Sequence, residues 1–156
     1  MEPAARASLT GISMATTRAE VARAILEGIA HSVASCIQAN EEVSGGRVSE
    51  LVVGGGLSGS SALLQIQADL TGMPVRRTKE TDRASLRGIA FLAGSSGLLW
   101  DSLQQARTTL VTDAVFEPRV GADERHARRA LWHARVASEL AHTRNFNHAS
   151  TGEISS

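Results

Sequence analysis

The sequence has one cysteine, no tyrosine and no excess of charge of either sign. Cys36 cannot form an internal disulfide, and a single thiol fits a reducing compartment. Lys+Arg and Asp+Glu both number 16, which argues against nucleic-acid binding driven by overall positive charge. No apolar run approaches the roughly 20 residues of a membrane helix, and the N-terminus has no signal-peptide apolar segment. We therefore expect a cytoplasmic protein with no nucleic-acid or membrane partner.

Aromatic residues are also scarce. They make up 3% of the 156 residues, whereas 42% of the chain is hydrophobic. Aromatic side chains usually supply much of a core or an interface, so this core must be built from Ala, Leu, Ile and Val. The length allows one ordinary domain or one lobe of a larger protein. A thin core is compatible with a lobe that packs against more protein.

The clearest pattern in the chain is a long helix near its start. Thr17-Arg18-Ala19-Glu20 has the form of a capping box, in which a hydroxyl and a carboxylate cap the first turn. From Val21 to Ile37, apolar residues recur at every fourth position. This spacing predicts an amphipathic helix of about 25 residues that ends before Ser44-Gly45-Gly46.

Strand and helix patterns then alternate. Short strands are predicted at 48–53 and 73–77, and helices are predicted from Ser60 or Ser61 to Gly72 and from Thr81 or Asp82 to Gly94. This order implies a right-handed parallel βαβ unit. Beyond Trp100 the pattern loosens until a charged helix begins at about Asp123. We expect residues 1–143 to form a single, incomplete domain and residues 144–156 to form a flexible tail.

The segment Gly54-Gly55-Gly56-Leu57-Ser58-Gly59 joins the first predicted strand to the next helix. Glycines let a backbone approach a phosphate closely, and amides at a helix N-terminus favour anions. The pattern leaves two other interpretations open. One is a tight turn that needs small residues for packing. The other is a Rossmann NADP site, although the next strand ends in Arg76-Arg77 rather than an acid, and a long helix precedes the glycine strand.

A set of motifs resembles the C-terminal part of the FGGY family of carbohydrate kinases. The motifs occur in the family's order over about residues 10–136, and within the family they are most similar to those of glycerol kinases. They are Gly11-Ile12 with Thr16-Thr17-Arg18-Ala19, Arg23 to Ala30, Val53-Gly54-Gly55-Gly56 with Gln65 to Leu70, Pro74-Val75-Arg76-Arg77, Gly88 to Gly94, and Phe116-Glu117-Pro118 followed by Arg125 and Trp132.

This resemblance implies an α/β fold that is part of an actin-like (ribonuclease H-like) ATPase domain, with parallel strands and packed helices. It implies transfer of the γ-phosphoryl group of Mg-ATP to a hydroxyl of a polyol or sugar. Gly55 and Gly56 would contact ATP or ADP through the backbone, and Ser60 would lie near adenine. The family's catalytic Asp and substrate domain precede the matched part. We therefore expect no catalytic or metal-binding residue in this chain, a missing N-terminal kinase domain as its partner, and no kinase activity alone. A non-catalytic assembly module with the same fold is the alternative, and exposed apolar surface makes a homo-oligomer a further expectation.

Other chemically capable side chains have simpler explanations. His126 and His133 lie seven residues apart with no third ligand at zinc spacing, so we expect surface residues. Asp69 and Glu27 are expected to be packing or helix-end groups, and Cys36 is expected to be a buried, inert thiol. A basic surface on the last predicted helix indicates a solvated face or a docking surface. It is formed by Arg125, Arg128, Arg129 and Arg135.

Overall fold

The computed structural model describes residues 7–97 and 99–152, with side chains described up to residue 142. Within these residues the helices are α1 (Arg18–Ser44), α2 (Ser61–Thr71), α3 (Ala84–Gly94), α4 (Leu103–Arg107) and α5 (Ala122–Gly152). The strands are β1 (Leu51–Val53), β2 (Val75–Thr78) and β3 (Thr112–Phe116). Short 3-10 turns at Gly56–Gly59 and Thr81–Arg83 precede α2 and α3.

The predicted ends of α1 are confirmed. The Thr17 hydroxyl accepts from the Glu20 amide over 3.3 Å, and the Glu20 carboxylate accepts from the Thr17 amide over 2.7 Å. These two bonds form the capping box. The Thr17 amide and the Thr17 hydroxyl both donate to the exposed Glu20 carboxylate and hold its pKa below the usual value. At the other end Gly45 adopts φ +67°, the left-handed conformation that commonly ends a helix.

The sheet contains the predicted parallel pair and one strand that the sequence pattern missed. The strand order is β1-β2-β3; β1 pairs with β2 in parallel, and β2 pairs with β3 antiparallel. The expectation of parallel strands is therefore confirmed for β1 and β2 and must be extended by an antiparallel third strand. The sequence pattern does not indicate β3 because none of its residues is buried and its first two, Thr112 and Asp113, are both exposed. The short helix α4 was likewise not predicted.

Helix α2 forms the centre of the molecule because both of its faces are covered. Leu63 and Leu70 pack against Ala30 of α1, whereas Leu64 and Ala68 pack against Val75 of β2. These residues are all at most 2% exposed. The core is small and aliphatic, as the scarcity of aromatic residues indicates.

The last helix, α5, docks onto α1 through an aromatic pair. Trp132 and His31 stack with their ring centroids 4.8 Å apart and their planes 4° apart. Burial lowers the pKa of His31; Glu27 opposes this shift, and His133, Arg129 and Arg128 add to it.

α5 covers residues 144–152, residues 153–156 lie outside the described part, and the flexible tail stays a prediction.

The basic residues of α5 also serve its docking. The guanidinium of Arg125 lies over Gly72 and donates to the carbonyl of Val120 over 2.6 Å, and Arg129 donates to the side-chain oxygen of Gln38. Two of the four arginines, Arg125 and Arg129, therefore form contacts within the chain rather than a solvated face. Among the described helices, none is both long enough and apolar enough to cross a membrane.

Candidate functional site

The glycine segment after β1 folds into a loop whose conformation depends on Gly55. Gly55 has φ +101° and ψ 175°, a backbone region occupied almost only by glycine. Its amide donates to the carbonyl of Thr81 over 2.7 Å. Its carbonyl accepts from both the amide and the hydroxyl of Ser58, over 3.1 and 2.6 Å. Both backbone polar groups of Gly55 are thus engaged within the chain.

This arrangement narrows the predicted role of Gly55. The sequence suggested bare amides at Gly55 and Gly56 for a phosphate. In the structure the Gly55 amide donates to the carbonyl of Thr81, whereas the Gly56 amide has no backbone partner among the described residues, and the contact of either glycine with nucleotide stays a prediction. Thr81 lies 26 residues after Gly55 in the chain, and the sequence gives no sign that it returns to the loop.

Gly54 has a packing role of the kind that the tight-turn interpretation expects. A Cβ atom at Gly54 would lie 2.8 Å from the Cβ of Ala84, the first residue of α3. Real Cβ atoms do not approach this closely. A glycine here therefore lets α3 pack directly against the end of β1.

Gly56 and Leu57 provide the open, donor-bearing part of the loop. No backbone bond among the described residues uses the amide of Gly56 or Leu57, and a Cβ at Gly56 would meet no atom within 4 Å. The loop leads directly into the N-terminus of α2, where amides carry partial positive charge. These features fit an anionic group that is bound by the backbone.

Ser60 caps α2. Its hydroxyl oxygen accepts from the amide of Leu63 over 3.3 Å, which satisfies one of the free donors of the first turn. The hydroxyl proton has no acceptor among the described residues. Ser60 can therefore still donate one hydrogen bond toward the open side of the loop.

Arg77 of β2 lies beneath the loop. Its guanidinium donates to the carboxylate of Asp113 over 2.6 Å, to the carbonyl of Ser58 over 3.4 Å and to the hydroxyl of Ser61 over 3.3 Å. It also lies 5.6 Å from the ring centroid of Phe116, within cation–π range. The sequence pattern identified Arg77 only as part of the strand end that departs from a Rossmann site. It did not indicate this set of contacts, because two of the partners lie on the unpredicted β3.

A separate cavity of about 420 Å³ lies between the sheet and α3 and α4. Its lining combines apolar side chains with two guanidinium groups, those of Arg87 and Arg107. Arg87 is occupied, since it donates to the carbonyl of Lys79 over 3.0 Å and to the hydroxyl of Thr78 over 2.9 Å. Gly54 is the one residue of the glycine segment in its wall. The open amides of Gly56 and Leu57 therefore belong to a different surface.

The remaining candidate residues have structural surroundings. Asp69 accepts from the side chain of Gln65 over 3.0 Å and from the amide of Arg119 over 2.8 Å, and Glu27 pairs with Arg23 over 2.8 Å. Both are packing groups, as expected. His126 and His133 are exposed. In the described part of the chain, no group of three or more His, Cys, Asp or Glu side chains could hold a metal ion.

Cys36 corrects one expectation. It is exposed rather than buried, because it lies one position off the face of α1 that carries the buried Ala30 and Ala34.

The comparisons with known proteins identify the family. The model of the FGGY family of carbohydrate kinases, C-terminal domain, matches residues 1–97, which is more than half of the chain. The chain belongs to the FGGY family of carbohydrate kinases. The resemblance that the motifs indicated is thereby confirmed, and the comparisons give no support to a Rossmann NADP domain.

Curated relatives of this FGGY chain include glycerol kinases. The glycerol kinase of Dechloromonas aromatica is 41% identical over 139 residues, and glycerol kinase 2 of Saccharolobus solfataricus is 37% identical over 139 residues. In both cases the match covers 89% of this chain but 28% of the relative. The chain therefore spans little more than a quarter of the length of these kinases.

Solved structures support the same fold. A Plasmodium falciparum glycerol kinase, determined with ADP, superposes with a TM-score of 0.73 and 30% identity over 87% of this chain and 27% of that chain. A xylulose kinase from Rhodospirillum rubrum superposes with a TM-score of 0.71 at 20% identity, over 86% of this chain and 28% of that chain. The small sheet and its packed helices are thus part of the actin-like (ribonuclease H-like) ATPase fold of FGGY kinases.

Proposed function

We propose that this chain is the C-terminal, nucleotide-binding lobe of an ATP-dependent kinase that phosphorylates a hydroxyl of a polyol or sugar. Glycerol is the acceptor that the relatives favour, since the curated matches are glycerol kinases. The acceptor site and the catalytic base are proposed to lie in the part of the kinase outside this chain. The lobe alone is expected to have no kinase activity and to bind nucleotide weakly.

The observation that carries this proposal is the free backbone of the glycine loop. The amides of Gly56 and Leu57 are unpaired among the described residues, a Cβ at Gly56 would meet no atom within 4 Å, and the loop leads into the N-terminus of α2. Phosphate oxygens are acceptors that suit this arrangement. Phosphoryl transfer depends mainly on positioning and charge stabilisation, which fixed backbone donors can supply.

The three predicted contact residues therefore receive distinct roles in the proposal. Gly55 sets the shape of the loop, Gly56 donates to a phosphate oxygen, and Ser60 donates toward the adenine side from its capping position. Mg²⁺ is proposed to enter as part of Mg-ATP, coordinated by the phosphates. The described residues contribute hydrogen bonds and no cluster of metal ligands.

The rest of the kinase is proposed to pack on an apolar face of α3. Leu86, Ile89 and Leu92 are 66%, 65% and 62% exposed, and β1 is an edge strand of the described sheet. An exposed apolar helix face beside an open strand edge is typical of an interface. The occupant that we propose is the remaining part of the same kinase, because the chain covers 28% of its curated relatives.

Titration of the ¹⁵N-labelled chain with Mg-ADP tests the proposal. We expect the amide resonances of Gly56, Leu57 and Ser60 to shift in a saturable way, whereas the Gly55 amide shifts less because it remains bound to Thr81. Inorganic phosphate at the same concentration should produce smaller shifts. Equal responses to ADP and phosphate would favour the assembly module, and an unchanged loop at saturating ADP would contradict nucleotide binding.

A further inference from the structure

We infer that Arg77 is a positioning residue that holds the glycine loop in its nucleotide-accepting shape. The inference rests on the proposed function for the identity of the ligand. The positioning itself rests on contacts that exist within the chain and can be measured without nucleotide.

The first step is the relay from Arg77 to Gly55. The guanidinium donates to the carbonyl of Ser58 over 3.4 Å, and Ser58 is 4% exposed. The same serine donates to the carbonyl of Gly55 through both its hydroxyl and its amide. Arg77 thus orients the residue that binds the carbonyl of Gly55, while Thr81 binds the amide of Gly55.

The second step is the anchor of Arg77 itself. Its Nε atom donates to Asp113 of β3 over 2.6 Å, and its side chain is 18% exposed. The ring of Phe116 lies 5.6 Å from the guanidinium carbon. A carboxylate and an aromatic ring on one strand therefore hold the guanidinium beneath the loop.

The third step is the choice of arginine. The guanidinium reaches Asp113, Ser58 and Ser61 together because its donors are spread over a rigid planar fork. A lysine ammonium is a compact charge on a flexible stem. Lysine would keep the pairing with Asp113 but would not span all three acceptors.

The neighbouring Arg76 provides a matched control. Like Arg77 it lies on β2 and pairs with a carboxylate, Glu50, over 2.8 Å. Successive residues of a strand point to opposite faces, and no hydrogen bond of Arg76 reaches the glycine loop. R76M and R77M each remove one ion pair from the same strand, but only R77M disconnects Ser58.

The test compares wild type, R76M, R77M and R77K of this chain by native-state amide hydrogen exchange without nucleotide, followed by Mg-ADP titration. In R77M we expect the Gly55 and Ser58 amides to exchange about tenfold faster than in R76M, and ADP affinity to fall by about tenfold relative to R76M, as the loss of a charged hydrogen-bond network predicts. The amide of Leu64, inside α2, should exchange alike in both variants. In R77K, the exchange rates of the Gly55 and Ser58 amides and the ADP affinity should lie between those of R77M and wild type.

The outcomes separate the two proposals. Equal exchange at Gly55 and Ser58 in R76M and R77M would overturn the positioning role, whatever the affinity. If the Gly55 and Ser58 amides exchange faster in R77M than in R76M but the wild-type chain does not bind ADP, the positioning role is supported and the nucleotide site is contradicted. If R77M does not fold, R77K and S58A give the same comparison against R76M.

Discussion

The amide of Gly55 donates to the carbonyl of Thr81 over 2.7 Å. This bond joins the loop that follows β1 to the 3-10 turn that leads into α3. Because Ser58 donates to the carbonyl of Gly55, Gly55 is bound both from within the loop and from the turn before α3. Its shape is therefore set before any ligand arrives, which lowers the entropic cost of binding.

Replacing Gly56 by alanine should weaken nucleotide binding without destabilising the fold. Gly56 has no positive φ and a Cβ there meets no atom within 4 Å, so G56A should fold without strain while it adds a methyl group to the part of the loop that carries the free amides. We expect ADP affinity to fall by at least about tenfold and the unfolding midpoint to stay unchanged. G59A, which also adds a methyl group in open space, is the control and should bind as wild type does.

Replacing Gly54 by alanine should instead destabilise the fold. The new Cβ would lie 2.8 Å from that of Ala84, and relieving such overpacking typically costs about 1–3 kcal/mol. Urea unfolding of G54A, A84G and the double variant measures this effect. The double variant should be more stable than the sum of the single changes predicts, and strict additivity would show that the two atoms do not compete for space.

The stability of the chain should depend on pH through His31. Burial lowers the pKa of this imidazole below its ordinary value of 6.5, so protonation costs the folded state more than the unfolded chain. The unfolded chain then binds more protons between the lowered pKa and 6.5, and the free energy of unfolding falls as pH falls through that window. Unfolding in urea at pH 7.5 and 5.5 measures the change.

The variant H31F isolates this contribution. Phenylalanine keeps an aromatic ring against Trp132 and carries no titratable group, so H31F should lose less stability than wild type between pH 7.5 and 5.5. Glu27, His133, Arg129 and Arg128, the charged groups acting on His31, are present in both proteins, so the comparison isolates the His31 imidazole together with its interactions with these groups. Identical losses in the two proteins would assign the pH dependence to other groups.

The apolar face of α3 should make the isolated chain self-associate. Burying Ile89 and Leu92 against a second copy would remove apolar area that the rest of the kinase is proposed to cover. Light scattering of wild type and of I89S/L92S should show association that the double substitution reduces. V43S removes an apolar residue that is 91% exposed elsewhere and should leave association unchanged. A wild-type chain that stays monomeric at high concentration would contradict the expected homo-oligomer.

Local patterns predicted the helices well because their signals are short-range. The capping box at Thr17 and the left-handed glycines after α1 and α2 depend on residues within one turn of each helix end. β3 was missed because an edge strand that is half exposed carries little hydrophobic alternation. An antiparallel strand of this kind is specified by its partner rather than by its own sequence.

The glycine loop was located from the sequence, but its internal roles were not. Gly54, Gly55 and Gly56 are identical residues in a row, and only the surroundings separate a packing contact with Ala84, a bond to Thr81 and an open amide. Those surroundings come from residues that lie some 25 to 30 positions away. A local pattern of residue types cannot predict contacts between residues so far apart in the sequence.

Because α2 lies at the centre of the fold, a ligand bound at the glycine loop should raise the melting temperature of the chain. Helix α2, which begins at Ser61, is buried on both faces, so we expect that unfolding of the core also unfolds the first turn of α2, beside the glycine loop. A molecule held at that turn binds the folded form alone and, by mass action, raises the temperature at which the chain melts. Thermal shift should therefore report on loop ligands even where the affinity is modest.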